Sequence, residues 1–180
     1  MICIFLADGF EEIEALTPVD VFRRAGLETL TVSITDKHTV IGSHNISVLA
    51  DLTHSEVNLS DADLLLLPGG MPGTKHLGAC KPLCDTVTAH AKAGKPVAAI
   101  CAAPSVLGGL GLLAGKEAIC YPGFENALTG ATISEKKVVR DGNVVTAAGM
   151  GVALEFSLEC LRLLGHADTA EKIRSGVIAD

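Results

Sequence analysis

The chain has no tryptophan and a single tyrosine, and aromatic residues fill only 3% of its 180 positions. With 48% hydrophobic residues, its core has to come from Val, Leu, Ile and Ala. That palette favours buried parallel strands covered by helices. Long apolar runs are missing too, since none approaches the ~20 residues of a membrane-spanning helix. Basic clusters stop at pairs, Arg23-Arg24 and Lys136-Lys137, in a chain of net charge −7. Nucleic acid and anionic membranes are therefore not expected partners. The opening MICIFLADGFEE lacks a basic stretch before its short apolar run and passes directly into acids. No secretory signal is read there, and the cytoplasm is the expected location.

Zinc spacing is absent as well: the cysteines stand at 3, 80, 84, 101, 120 and 160, with no C-x-x-C pair. No metal is expected, and a chain this long needs no disulfide framework. Cys80 and Cys84 are four apart on an expected helix, which allows a two-ligand site or two helix-surface thiols; the second is preferred. Most other cysteines lie in apolar runs and read as small buried hydrophobes.

What is present alternates between strand-like and helix-like segments. Strands are read at Ile2 to Ala7, Leu27 to Ile34, Asp63 to Leu67 and Val97 to Ile100. Helices are read at Glu11 to Ala25, with Pro18 kinking or restarting it, and at Pro82 to Lys92 and Ser105 to Leu113. Two more close the chain, near 151–164 and 167–176. Thr39 to Ala50 looks like a hairpin, and Asp141-Gly142 marks another. Alternation of this kind predicts one α/β domain over residues 1–180, a doubly wound, mostly parallel sheet with helices on both faces. Ligands would bind beyond the carboxyl ends of the strands. Three segments should converge there: Asp8 to Glu14, Pro68 to Gly73, and the turn at Cys101.

Cys101, in PVAAICAAP, sits where a strand meets a helix. A thiol there gains from unpaired N–H groups and the helix dipole, and Ala102 and Ala103 permit a tight turn. A buried structural cysteine weighs equally on spacing alone. The Pro68-Gly69-Gly70 stretch shifts the balance, because glycines beyond a strand end can aim backbone N–H groups into a cleft. Gly70 and Ala102 are the expected oxyanion donors. Glu11 and Glu12 read as charges favourable to a helix N-terminus. Glu14 lies in an apolar context between Ile13 and Ala15, where burial would raise its pKa and let it share a proton with a thiol. His38, His54, His90 and His166 read as solvated, and His76 as a residue of the cleft rim or surface.

GFEEIEALTPVDVFRRAG, LLLLPGGMPG, AAICAAPSVLGG and AAGMGVALEFSLE together resemble the DJ-1/PfpI (ThiJ) family, in its DJ-1-like branch. The resemblance spans nearly the whole chain in order. It implies a flavodoxin-like α/β sandwich that forms a homodimer, with Cys101 as reactive cysteine and Glu14 as its acid partner. It also implies Gly70 and Ala102 as amide donors beside Gly69 and Ala103. The activities it implies are a cofactor-independent glyoxalase, a protein deglycase, a chaperone and a sensor of oxidative stress. Three positions depart from the family pattern. Tyr121 stands where a histidine is usual, His44 where an arginine reaches in from the partner subunit, and Ala147-Ala148 where Ser-Arg is usual. A slow enzyme acting on small aldehydes is the expectation, without a dedicated histidine base and with a less positive cleft. The rival is a non-catalytic sensor whose cysteine is oxidised to the sulfinic acid. A cysteine peptidase or amidotransferase ranks low, because residues 146–160 hold no histidine.

Overall fold

Runs such as ICIFL and LLLL carry no polar interruption, so they can hydrogen-bond only within a sheet covered on both faces. In the computed structural model, which describes residues 1–179, they become β1 (Ile2–Leu6) and, later, β6 (Leu64–Leu67). Between them come α1 (Glu12–Arg24), β2 (Thr29–Ser33), the antiparallel hairpin β3 (Thr39–Ile41) and β4 (Ser47–Leu49), and the short β5 (Leu52–Thr53). After β6 follow α2 (Gly73–Ala79), α3 (Lys81–Lys92), β7 (Val97–Ile100), α4 (Pro104–Gly109) and the small parallel pair β8 (Glu117–Ala118) and β9 (Thr132–Ile133). The chain then forms β10 (Val138–Asp141), β11 (Val144–Ala147), α5 (Ala153–Leu163) and α6 (Ala167–Gly176).

Seven strands form the main sheet in the order β10-β11-β7-β6-β1-β2-β5. Only the β10–β11 pair is antiparallel. Side chains alternate across the sheet with the strand period of two. Ile2, Ile4 and Leu6 of β1 join Phe22, Phe156 and Leu161 in one core under α1, α5 and α6. Cys3 and Phe5 join Leu83, Val87 and Leu107 in the other, under α2, α3 and α4. The strand order reverses between β1 and β6, so the crevice beyond their carboxyl ends is the natural ligand position. Cys101 and the Pro68–Gly70 turn lie at that edge, next to the loop after β1.

The structure corrects several expectations. The helix after Cys101 is six residues long, not nine, because glycines at 108, 109 and 111 weaken it and Gly111 turns the chain at φ +72°. α1 continues unbroken through Pro18 rather than restarting. Cys84 is buried rather than a surface thiol, and Cys80 precedes α3 as its cap. His90 is 7% exposed, since it shares the buried stripe of α3 with Leu83 and Val87. The ring Nε2 of His54 is buried too. Among the described residues, no helix is long and apolar enough to cross a membrane.

Candidate functional site

β7 ends at Ile100, and the chain must turn at once. Cys101 takes that turn at φ +65°, a region that costs a residue with a Cβ about 1–3 kcal/mol. Two backbone hydrogen bonds hold it there: Cys101 N–H to the Ala147 carbonyl at 2.9 Å, and Tyr121 N–H to the Cys101 carbonyl at 2.7 Å. Buried Ala102 and Ala103 leave room for the bend. The result places a half-buried thiol at the carboxyl edge of the sheet.

Glu14 comes from the first turn of α1 and is 1% exposed. Its Oε2 accepts the Gly69 N–H at 3.0 Å. Space is tight around this bond. A Cβ on Gly69 would lie 2.6 Å from both the Cys101 Cβ and Glu14 Oε2, so glycine at 69 is what allows the three to meet. Gly70 continues the turn at φ +88°. The backbone N–H groups of Gly70 and Ala102 lie close enough to the Cys101 sulfur to favour its charged form. Gly69, Gly70, Cys101, Ala102 and Glu14 thus lie together, with Ala103 packed behind.

Electrostatics of the pair follow from burial. Desolvation raises the Glu14 carboxyl to about 7, against hydrogen bonds from Cys101, Gly69 and the Met150 N–H that favour its charge. Burial also pushes the Cys101 thiol up to about 12, and the charge and hydrogen bond of Glu14 add to this. The amides of Ala102 and Gly70 pull the other way. The expectation of a thiolate favoured by a helix dipole is therefore corrected, since the six-residue α4 supplies too little dipole to offset burial. Cys101 rests as a thiol beside the Glu14 carboxyl. Protonating Glu14 removes its charge, and with it part of what holds the thiol up.

Tyr121 is 52% exposed, its ring beside Gly149 and its backbone anchored to Cys101. His44 does not approach the thiol within its own chain. It sits at the β3–β4 tip, where its Nδ1 and N–H contact the Glu12 carboxylate at 2.7 and 2.8 Å. Glu12 is buried, contrary to its reading as a helix-end charge. Burial opposes its charge, but the His44 hydrogen bonds outweigh this and draw the carboxyl down to about 2. Glu11, Glu12 and His44 present donor atoms within 4.8 Å of one another, but the Glu12 oxygens are taken by His44 and Ser43. His76 is exposed, with its Nδ1 2.9 Å from the Asp8 carbonyl on the loop after β1. Sequence reasoning did not find the Met150 N–H; only the glycines around it hinted at a backbone close to the site.

The DJ-1/PfpI family pattern matches residues 1–163. The chain belongs to that family. It is 40% identical over 173 residues to protein DJ-1 homolog B of Arabidopsis thaliana, covering 94% of this chain and 40% of that protein. The chain thus spans less than half of that relative, and 45% of the Arabidopsis DJ-1 homolog A. A Pyrococcus abyssi protein named a deglycase is 31% identical, with 91% of this chain and 98% of that one covered. In three dimensions the chain resembles Toxoplasma gondii DJ-1, solved in an oxidized form. The TM-score is 0.94 at 34% identity, over 98% of this chain and 97% of that one.

Proposed function

We propose that this DJ-1/PfpI protein detoxifies reactive carbonyls, as a cofactor-independent glyoxalase or deglycase in which Cys101 is the nucleophile and Glu14 the proton carrier. The supporting observation is the buried Glu14 carboxyl against the Cys101 thiol, with the Gly70 and Ala102 amides close to the sulfur. Glu14 takes the thiol proton as sulfur attacks the aldehyde carbon of a 2-oxoaldehyde. The new C–S bond leaves an oxyanion, which the two amides stabilise before it gains a proton as the hemithioacetal. Glu14 then removes the C1 hydrogen as a proton and returns it to C2, converting the ketone into an alcohol and the hemithioacetal into a thioester. Water cleaves the thioester, releasing a 2-hydroxy acid and the thiol. Oxidation at C1 balances reduction at C2, so no external oxidant is needed. A carboxyl near pKa 7 suits both accepting and donating steps. Purified protein should convert methylglyoxal to lactate, and Cys101→Ala or Glu14→Gln should abolish it; unchanged consumption in either variant would sink the proposal.

One observation favours the sensor reading: a sulfinate at position 101 would meet the same two amides and a protonated Glu14. A thiol raised to about 12 has to lose its proton before it can attack peroxide, as it must before it attacks an aldehyde, so both readings depend on Glu14. A homodimer in the cytoplasm remains part of the proposal. Exposed Ile13 and Leu16 on α1, with Ile46 and Leu49 on the hairpin, are apolar surface suited to a second copy.

A further inference from the structure

A cleft of about 350 Å³ opens beside the site, lined by Tyr121, Pro122, Lys137, Gly149, Met150 and Val152. Its floor is the wall of the reactive centre. A Cβ on Gly149 would lie 3.4 Å from the Tyr121 ring and 3.9 Å from Glu14 Oε1, and the Met150 N–H is close enough to favour the Glu14 charge. The Lys137 backbone lies next to Gly149, where its carbonyl accepts the Ala148 N–H at 2.9 Å. Its exposed ammonium is the only full charge on otherwise apolar and phenolic walls. Among the described residues it has no carboxylate partner, whereas neighbouring Lys136 and Arg140 face Glu117 and Glu159. The groove on its other flank carries Glu155 and Glu159, but Arg162 already pairs with both.

We propose that this cleft is the subsite for an anionic substituent, a carboxylate or a phosphate, on the molecule that reaches Cys101, and that Lys137 selects it. An anion held by Lys137 in this cleft would lie on the Gly149 side of Glu14. Lys137 then offers an attractive charge beside the Glu14 carboxyl, the Cys101 thiol and the Tyr121 phenol. The Tyr121 and Met150 side chains and Lys137 are exposed, so solvent screens part of that attraction and its effect is a modest factor. The inference deepens the carbonyl reading by naming the kind of aldehyde preferred, one that carries a negative group.

Two alkylating agents of equal chemistry and unequal charge test it without any turnover. Iodoacetate and iodoacetamide both label thiols, and mass spectrometry of the Cys101 peptide gives the rate of each. The ratio of iodoacetate to iodoacetamide rates should fall about fivefold in Lys137→Met, and should not change in Lys136→Met, which removes the same charge one residue away. An unchanged ratio in Lys137→Met, or an equal fall in Lys136→Met, overturns the assignment. In a second arm, lactate and inorganic phosphate are tested for protecting Cys101 from iodoacetamide. Protection by either that disappears in Lys137→Met supports the subsite and tells carboxylate from phosphate; protection by neither overturns it. Methylglyoxal, uncharged, is assayed in parallel. Its failure to turn over would remove the glyoxalase reading and leave the labelling test standing.

Discussion

The Gly69 N–H donates to Glu14 Oε2 at 3.0 Å, joining the turn after β6 to the first turn of α1 beside the thiol of Cys101. This bond makes the turn part of the acid's position as well as part of the proposed oxyanion site. A methyl group at 69 has nowhere to go, since its carbon would sit 2.6 Å from the Cys101 Cβ, 2.6 Å from Glu14 Oε2 and 3.0 Å from the Ile100 carbonyl. Gly69→Ala should therefore cost about 1–3 kcal/mol in urea unfolding. It should also lower kcat about 100-fold, because the thiol and carboxyl are pushed apart. An alanine variant with wild-type kcat would show that this spacing does not matter.

Glu14 sets two pH dependences with different signs. In the proposed mechanism the ionised carboxyl accepts the thiol proton, so the rate should rise with pH through about 7. The apparent value belongs to the Glu14–Cys101 pair. Glu14→Gln should remove that limb and lower the rate at least 100-fold. In stability, a carboxyl raised from 4.5 to about 7 binds its proton more tightly in the folded state than in the unfolded one. Its contribution is full below about pH 4.5 and is lost as pH rises through about 7. Glu14→Gln should flatten that decline, which thermal unfolding between pH 4 and 8 would read.

The sheet was legible because its strands are short, apolar and branched, and because the expected hairpin joins β10 and β11, although its two-residue turn is Gly142-Asn143, with Asp141 still in β10 opposite Val144 and Gly142 at φ +60°. Cys101 was legible as a junction residue, since an apolar strand followed by two alanines leaves little else at that point. Glu14 stood out as an acid between apolar neighbours. What could not be read was anything set by distant backbone. The rise of the Cys101 pKa depends on how deeply the turn is buried, and composition carries no such depth. Glu12 looked like a solvated helix-end charge because its partner, His44, is 32 residues away across a hairpin. Lys137 reads as half of a surface basic pair until its backbone bond to Ala148, just before β10, places it beside Gly149.

The hairpin's attachment to α1 should itself respond to pH. Glu12 is drawn down to about 2 from 4.5, so its contribution is present above about pH 4.5 and fades as pH falls toward 2. His44 is raised from 6.5 by its hydrogen bond to Glu12 and by the charge of Glu11. Its contribution is full below pH 6.5 and is lost as pH rises past its folded value. Docking of residues 39–49 is then firmest between about pH 4.5 and 6.5. Amide exchange in that segment, corrected for the intrinsic rate, should be slowest in this window. His44→Ala should abolish the rise on the alkaline side; a flat profile in the unaltered protein would refute the coupling.

Tyr121 offers the last test, because its position is fixed by backbone while its side chain is free. The Tyr121 N–H holds the Cys101 carbonyl at 2.7 Å, so a substitution at 121 keeps the turn and changes only what projects beside Gly149. A phenol is a weak proton acceptor near neutral pH, whereas an imidazole titrates near 6.5. In Tyr121→His a second base stands next to the thiol, and proton removal no longer depends on Glu14 alone. The rate with methylglyoxal should rise about tenfold, within the range for one added general base, and the acid limb of the pH profile should move toward 6.5. Glu14→Gln combined with Tyr121→His should recover part of the activity that Glu14→Gln alone loses. If the double variant is as inactive as Glu14→Gln, then Glu14 does more than accept the thiol proton, and its transfer between the two substrate carbons is the step that no neighbour can replace.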